Sequence, residues 1–265
     1  MKYLVTTLLL ILFSSTHAQE VAPFKQRELG ISIGVRQWKI HEQRFSSRIK
    51  NTALLHLGIH HERRTDASRF YVSSQFGFNM SPSSGVGVRY AIINPDINMT
   101  YQRRAANIWL GPTLTHHMIV NLPSNTAQAF NNNPVSYTGV TGLGIAGNYD
   151  LFLADDKIRL NTGVQTNLIS HVIRPAYAHP YPEDFLREEV FDPTRAGIAK
   201  SVVRSGKIRS FKGLQSIRVS FGFSYLISDQ FKVGITYQGT MLRVNEVKSL
   251  NAQSQDVLFT ISHVY

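Results

Sequence analysis

The sequence predicts an all-β chain in which about ten antiparallel strands close into a transmembrane barrel. Three observations carry this. Apolar and polar residues alternate with period two in ten separate stretches between Leu29 and Tyr265, the signature of strands with unlike faces. Beyond the first 18 residues no run of apolar residues is long enough for a membrane-crossing helix, and no helical pattern separates the alternating stretches. The polar face is rich in Gly, Ser, Thr, Asn and Gln instead of the Lys–Glu mixtures of a wetted sheet. Such a face suits a crowded, hydrogen-bonded interior and leaves the apolar face to lipid. Eight or twelve strands remain possible if 26–50 and 85–105 divide differently.

Residues 1–18 read as a secretory signal peptide. Lys2 gives the positive start and Leu4 to Phe13 an apolar run too short to span a bilayer, while Thr16-His17-Ala18 places cleavage after Ala18. Residues 19–28 form a short lead, and 29–265 form the barrel. In the first strand Leu29, Ile31, Ile33 and Val35 alternate with Gly30, Ser32, Gly34 and Arg36. Leu55, Leu57 and Ile59 alternate with His56, Gly58 and His60 in the second; Phe70, Val72, Phe76 and Phe78 with Tyr71, Ser73 and Gln75 in the third. In the fourth, Val86, Val88, Tyr90 and Ile92 take even numbers but Met99 and Tyr101 odd ones, which predicts a bulge near Pro95. Ile108, Leu110, Leu114, Met118 and Val120 oppose Trp109, Thr113, Thr115 and His117 in the fifth, and Leu143, Ile145 and Tyr149 oppose Gly142, Gly144 and Asn148 in the sixth. In the seventh, Ile158, Leu160, Val164 and Leu168 oppose Arg159, Asn161, Gln165, Asn167 and His171. The eighth, "SIRVSFGFSYLIS" (216–228), is the cleanest, with Leu226 its one exception. Phe231, Val233, Ile235 and Tyr237 mark the ninth. Val257, Phe259, Ile261 and Tyr265 mark the tenth, on which the chain stops.

The connections segregate. Residues 153–158 and 227–231 are tight turns rich in Asp and Ser, whereas 121–135, 173–213 and 245–255 are long and follow the fifth, seventh and ninth strands. Long loops therefore collect at one end, although 61–68 is longer than 81–84 and fits less well. Aromatic residues of the apolar parity, Phe70, Tyr101, Tyr149, Tyr225, Phe231 and Tyr265, lie near the short-turn ends, where an interfacial girdle belongs.

With its export signal, alternating strands, one-sided long loops and terminal aromatic, the chain resembles Gram-negative outer-membrane β-barrels, in particular the small barrels of Bacteroidota. The resemblance covers 29–265. It implies residence in the outer membrane, 173–213 as an extracellular loop, and a last strand whose Val257, Phe259, Ile261 and Tyr265 are the signal read by the barrel assembly machinery. His263 stands where that pattern has an apolar residue.

Chemistry is sparse. There is no cysteine, so disulfides and thiolate catalysis are excluded. "GLGIAG" (142–147) matches a dinucleotide fingerprint but continues as a strand, so its glycines make room for neighbours. "HHERR" (60–64) and His116-His117 place adjacent imidazoles on opposite faces, where neither pair can chelate. His116 lies on the lipid-facing parity without an orienting partner. No catalytic, cofactor-binding or metal-binding residue is assigned. The net charge of +11, or +10 without Lys2, points to anionic lipid and lipopolysaccharide as partners, while export argues against nucleic acid; the resemblance implies the assembly machinery as a further partner, and the long loops suit contacts with other envelope proteins. The interior is expected to be basic, with Arg36, Arg89, Arg159, Arg218 and Lys232 beside His56, His117 and His171, almost no acid, and all carboxylates in loops or turns. The acidic stretch 180–192 is a candidate plug for that lumen, and the basic stretch 194–213 a candidate contact for lipopolysaccharide phosphates; solvated loop charge is the alternative for both. The expected function is a non-enzymatic structural, accessory or envelope-interaction barrel with a narrow or plugged lumen. A narrow anion-preferring channel is one alternative, and a barrel enzyme acting on lipid A, phospholipid or peptide another.

Overall fold

The computed structural model describes residues 26–42, 50–79, 83–85, 88–123, 136–174, 206–245 and 249–265. The signal segment, most of the lead and the 180–192 candidate plug lie outside the described residues, as does most of the basic half of that loop. In chain order the strands are β1 (Gln26–Glu42), β2 (Lys50–Arg64), β3 (Ser68–Phe78), β4 (Ser83–Gly85), β5 (Val88–Ala105), β6 (Ile108–Pro123), β7 (Ser136–Leu153), β8 (Ile158–Ile173), β9 (Lys207–Ser210), β10 (Leu214–Ser228), β11 (Phe231–Val244) and β12 (Leu250–Val264). Ten long strands run antiparallel around a closed barrel, and the two short ones, β4 and β9, pair with β5 and β8 at the loop end. The pairing of the first strand with the last closes the ring. β1 pairs with β12 from Glu28↔Val264 to Glu42↔Leu250, and β10 joins β8 from Ile217↔Thr166 to Tyr225↔Ile158. A closed sheet leaves no unpaired edge, which lipid would penalise by several kcal/mol per group.

The short turns 65–67, 106–107, 154–157 and 229–230 all lie at one end. The β2–β3 connection, expected to be long, is tight: Thr65 N donates to Ser68 O at 2.8 Å, and Ser68 N donates back to the Thr65 hydroxyl at 3.0 Å. The connection expected at 245–255 shrinks to 245–249, because β12 begins at Leu250.

The exterior is apolar over most of the wall. Ile31, Phe221, Phe259 and Ile261 are 63 %, 58 %, 59 % and 58 % exposed, and similar residues surround them on neighbouring strands. A continuous apolar coat of this kind has no stable place in water and marks a lipid-facing surface. A barrel built for water would point these side chains inward, and they do not.

Near the loop end the pattern inverts. Trp38, Ile40, Leu54, Leu242, Val244, Leu250 and Ala252 point inward and are buried, while Gln37, Lys39, Asn51, Arg243, Asn251, Gln253 and Gln255 point outward and are exposed. This inversion also removes the bulge expected at Pro95. The β3–β5 register runs unbroken through Phe76↔Pro95, and Ile92, Asn94, Asp96 and Asn98 all face inward. Ile92 belongs to the buried apolar layer at the loop end, so its even number reflects a change of surroundings and not of phase. A true bulge lies on β8, where the register shifts so that Leu143 pairs with Ile169 but Gly144 with Asn167. Leu168 and Ile169 both face outward there. Gly144 sits at that irregularity, and a Cβ on it would come within 1.9 Å of the Thr166 carbonyl oxygen.

Candidate functional site

The interior carries the chemistry, arranged in three levels. Nearest the short turns, Glu62 on β2 accepts hydrogen bonds from Arg69 Nη2 on adjacent β3 at 3.0 Å and from Arg159 Nη2 on β8 at 3.2 Å. In the strand order β2 and β8 lie five places apart in either direction, so the Glu62–Arg159 pair spans the full width of the lumen. Arg159 also grips Asp150 on β7 through Nε and Nη2, each at 3.1 Å. Arg64 forms an ion pair with Asp150 at 3.2 Å and stacks its guanidinium between Trp109 and Phe152, 4.8 Å from each ring centre. On the neighbouring wall Glu28 accepts from Lys232 Nζ and lies 3.2 Å from His60 Nε2.

The middle level is built on Arg36, which is fully buried. Its Nε and Nη2 donate to the two carboxylate oxygens of Asp256 at 2.8 and 2.6 Å, a forked pair, and its Nη1 donates to Asn94 Oδ1. Across the lumen Arg218 Nη2 donates to Asp96 Oδ2 at 2.6 Å, with His117 Nδ1 at 3.4 Å and Arg36 Nη2 at 3.7 Å from the same oxygen. Trp38 stacks on His117 with ring centres 5.0 Å apart. The third level, at the loop end, is the apolar layer containing Trp38, Ile92, Ile119, Val140, Leu214 and Leu250. Between the two charged levels lies a cavity of about 190 Å³ lined by groups such as Ser73, Gln75, Asn98, Gln165, Ser220 and Thr236.

An apolar coat, a polar ion-paired interior and closure without an edge now stand together. This is the fold of an outer-membrane β-barrel. No protein-family model and no curated protein matches the sequence. Solved structures do resemble it. OmpT of Escherichia coli aligns over 95 % of this chain and 100 % of its own, with 8 % identity and a TM-score of 0.44. The translocator domain of the autotransporter NalP of Neisseria meningitidis aligns over 99 % and 95 %, with 9 % identity and a TM-score of 0.43. The attachment invasion locus protein Ail of Yersinia pestis covers 90 % and 98 %, with 8 % identity and a TM-score of 0.32.

Of the cations expected in the lumen of the outer-membrane barrel, Arg36, Arg159, Arg218 and Lys232 face inward; the side chain of Arg89 lies outside the described residues. The expectation of an interior almost without acid is overturned. Glu28, Glu62, Asp96, Asp150 and Asp256 are all strand residues, all face inward and all are buried. Glu28, Glu62 and Asp150 stand near strand ends, Asp96 is next to Pro95, and Asp256 follows the polar run Gln253-Ser254-Gln255, which disguises them as loop acids. Arg64, Arg69 and these carboxylates were legible only through strand parity, once the strands are extended to their full length. His171, expected on the polar face, is turned outward by the β8 bulge, with Ser170 and Val172 facing in.

The aromatic residues assigned to the girdle, Phe70, Tyr101, Tyr225, Phe231 and Tyr265, are on the outer wall toward the short-turn end, with Tyr149 half-buried. His263 stands among them, 5.4 Å from Phe231 and 5.7 Å from Tyr265 by ring centres. Its polar ring thus has an aromatic, end-of-barrel setting instead of the lipid core. His116 faces outward with Nδ1 2.8 Å from the Thr141 hydroxyl. The β1–β12 seam ends in two backbone bonds, Arg27 N to Tyr265 O at 3.0 Å and Tyr265 N to Arg27 O at 2.9 Å. Deleting Tyr265 removes both bonds and the ring beside His263. The truncated chain is expected to show greatly reduced amounts of folded, heat-modifiable barrel in the outer-membrane fraction. Undiminished amounts would remove any assembly role from this residue.

Proposed function

We propose that the protein is a sealed outer-membrane barrel, exported by residues 1–18, that conducts no solute and acts through its surfaces as a structural or envelope-interaction protein. The observation that carries this reading is the Glu62–Arg159 pair between diametrically opposite strands, backed by the Arg36–Asp256 and Arg218–Asp96 pairs and capped by an apolar layer. Solute would have to break two charged levels and then cross an apolar one. The interior also gives little basis for anion preference, because the cations Arg36, Arg64, Arg69, Arg159, Arg218 and Lys232 face five carboxylates. The loop end is then the surface for partners: the outward Lys39 and Arg243 and the basic stretch 194–213 suit lipopolysaccharide phosphates. Purified protein in planar lipid bilayers tests the reading. Its insertion, confirmed by protease protection, is expected without discrete conductance steps. Reproducible steps from the wild-type protein, with either ion selectivity, would overturn a sealed lumen.

A further inference from the structure

The outer wall at the short-turn end is charged on one side only. β1 and β2 place Arg27 and Arg63 directly opposite one another, both on the outward face and both exposed. The row continues on each side as Tyr265, Arg27, Arg63, Phe70, Tyr101 on five adjacent strands. On the far side of the barrel the corresponding outward positions are apolar: Ile108, Leu151, Leu153 and Ile227.

Two like charges directly opposite across a strand pair, with Cβ atoms roughly 5 Å apart, repel. Nothing among the described residues relieves this: neither guanidinium has an ion pair or a side-chain hydrogen bond, and the intervening Glu62 and Glu28 point into the lumen. Two guanidinium forks on directly opposed residues of adjacent strands suit the oxygens of a bridging phosphate. Deeper into the wall the surface changes in a way that extends the match. Two residues further in, Leu29 is flanked by His61 and His263. Two further still, Ile261, Ile31 and Ile59 form a row that is 58 %, 63 % and 51 % exposed. A phosphate-binding pair, a collar of aromatic rings and a strip of bare aliphatic side chains thus follow in order from the rim toward the middle of the wall. A free phosphate would use only the first of these; a molecule in which phosphate is joined to acyl chains would use all three.

We propose that Arg27 and Arg63 form a specific site for an anionic diacyl phospholipid of the leaflet at the short-turn end. Its phosphate lies across the two guanidiniums and its chains lie on Leu29, Ile31, Ile59 and Ile261. The site rests on the reading of the chain as a membrane-spanning barrel and is independent of whether the lumen conducts.

Native mass spectrometry of the folded protein, released from detergent after incubation with equal amounts of phosphatidylglycerol and phosphatidylethanolamine, tests the proposal. One phosphatidylglycerol is expected to be retained. Arg27→Gln/Arg63→Gln is expected to retain roughly tenfold less, on the scale of losing charge-assisted hydrogen bonds. Arg103→Gln, an exposed outward arginine two strands away, is expected to match the wild type. Equal retention of both lipids, equal retention by the double variant, displacement of the lipid by equimolar inorganic phosphate, or preference for added lipopolysaccharide would each overturn the site. Heat-modifiable gel mobility is measured on every sample. A wild type without a mobility shift defeats the barrel reading itself, whereas a normal shift with no retained lipid defeats the site alone. Should the double variant fail to fold, the single Arg27→Gln and Arg63→Gln variants supply the comparison.

Discussion

Arg36→Met is expected to destabilise the folded barrel by about 3–5 kcal/mol, the range for removing one partner of a buried ion pair. Arg36 and Asp256 are both 0 % exposed, and the fork of 2.8 and 2.6 Å bonds is the only charge-assisted contact shown for Asp256 among the described residues. Methionine fills much of the arginine volume, so the loss falls on the stranded carboxylate and not on a cavity. Asp96 is better protected, since Arg218 stays at 2.6 Å and His117 at 3.4 Å. Removing both partners is a different perturbation. Arg36→Met combined with Asp256→Leu leaves no buried charge of the pair and is expected to recover most of the lost stability, because apolar replacements of buried pairs are often neutral. Urea-dependent folding into detergent micelles or thin bilayers, followed by gel mobility across the four members of the cycle, measures the coupling. An Arg36→Met variant within about 1 kcal/mol of wild type would mean that Asp256 is well hydrated and that the middle level is not a seal.

Much of this architecture was legible because its lipid-facing band obeys one rule without interruption. From Leu29 to Val35, from Ile217 to Ile227 and from Val257 to Ile261, every outward position is apolar, and the inward positions between them are small or polar except for Leu226 and Leu258. The legibility fails where the solvent changes along a strand. β12 continues back through Gln255, Gln253 and Asn251, whose outward polar side chains look like loop. In β5, Ile92 faces a buried apolar layer, so its parity is opposite to that of the lipid-facing Met99, although the backbone register never shifts. The interior acids were hidden for a related reason. Composition identifies a charged residue, but only full-length strand parity places Asp256 in the lumen, and only barrel closure brings Glu62 to Arg159 across it. The bulge that turns His171 outward had a faint signal in the adjacent apolar pair Leu168-Ile169, which a strict alternation would not contain.

The inversion at the loop end makes a sharp statement about where lipid stops, and arginine substitutions along one face of β1 are expected to reveal it. Ile33→Arg should cost about 2–4 kcal/mol, the penalty for a lipid-facing arginine deep in the bilayer, and Gln37→Arg about 0–1 kcal/mol. Both positions face outward and both are exposed, so neither change disturbs the interior. What differs is the row to which each belongs. Ile33 lies in register with Leu57, Phe259, Ile235 and Phe223, an unbroken apolar belt over five strands. Gln37 lies in register with Ala53, Gln255 and Gly239, and an apolar side chain, Val219, enters this row only on the fifth strand. Four residues of a strand tilted by about 40° rise only about 10 Å along the barrel axis. A steep change in cost over so short a step requires a boundary between media, because packing against neighbouring strands changes little between two exposed positions. Beyond that boundary the wall behaves as a soluble barrel, mostly polar outside and apolar within, which is why Trp38, Leu54 and Ala252 are buried beside the outward Gln37, Ala53 and Gln253. Folding free energies of the two variants in bilayers of defined thickness decide the point. Equal costs at the two positions would place Gln37 in lipid and leave the buried apolar layer without its explanation.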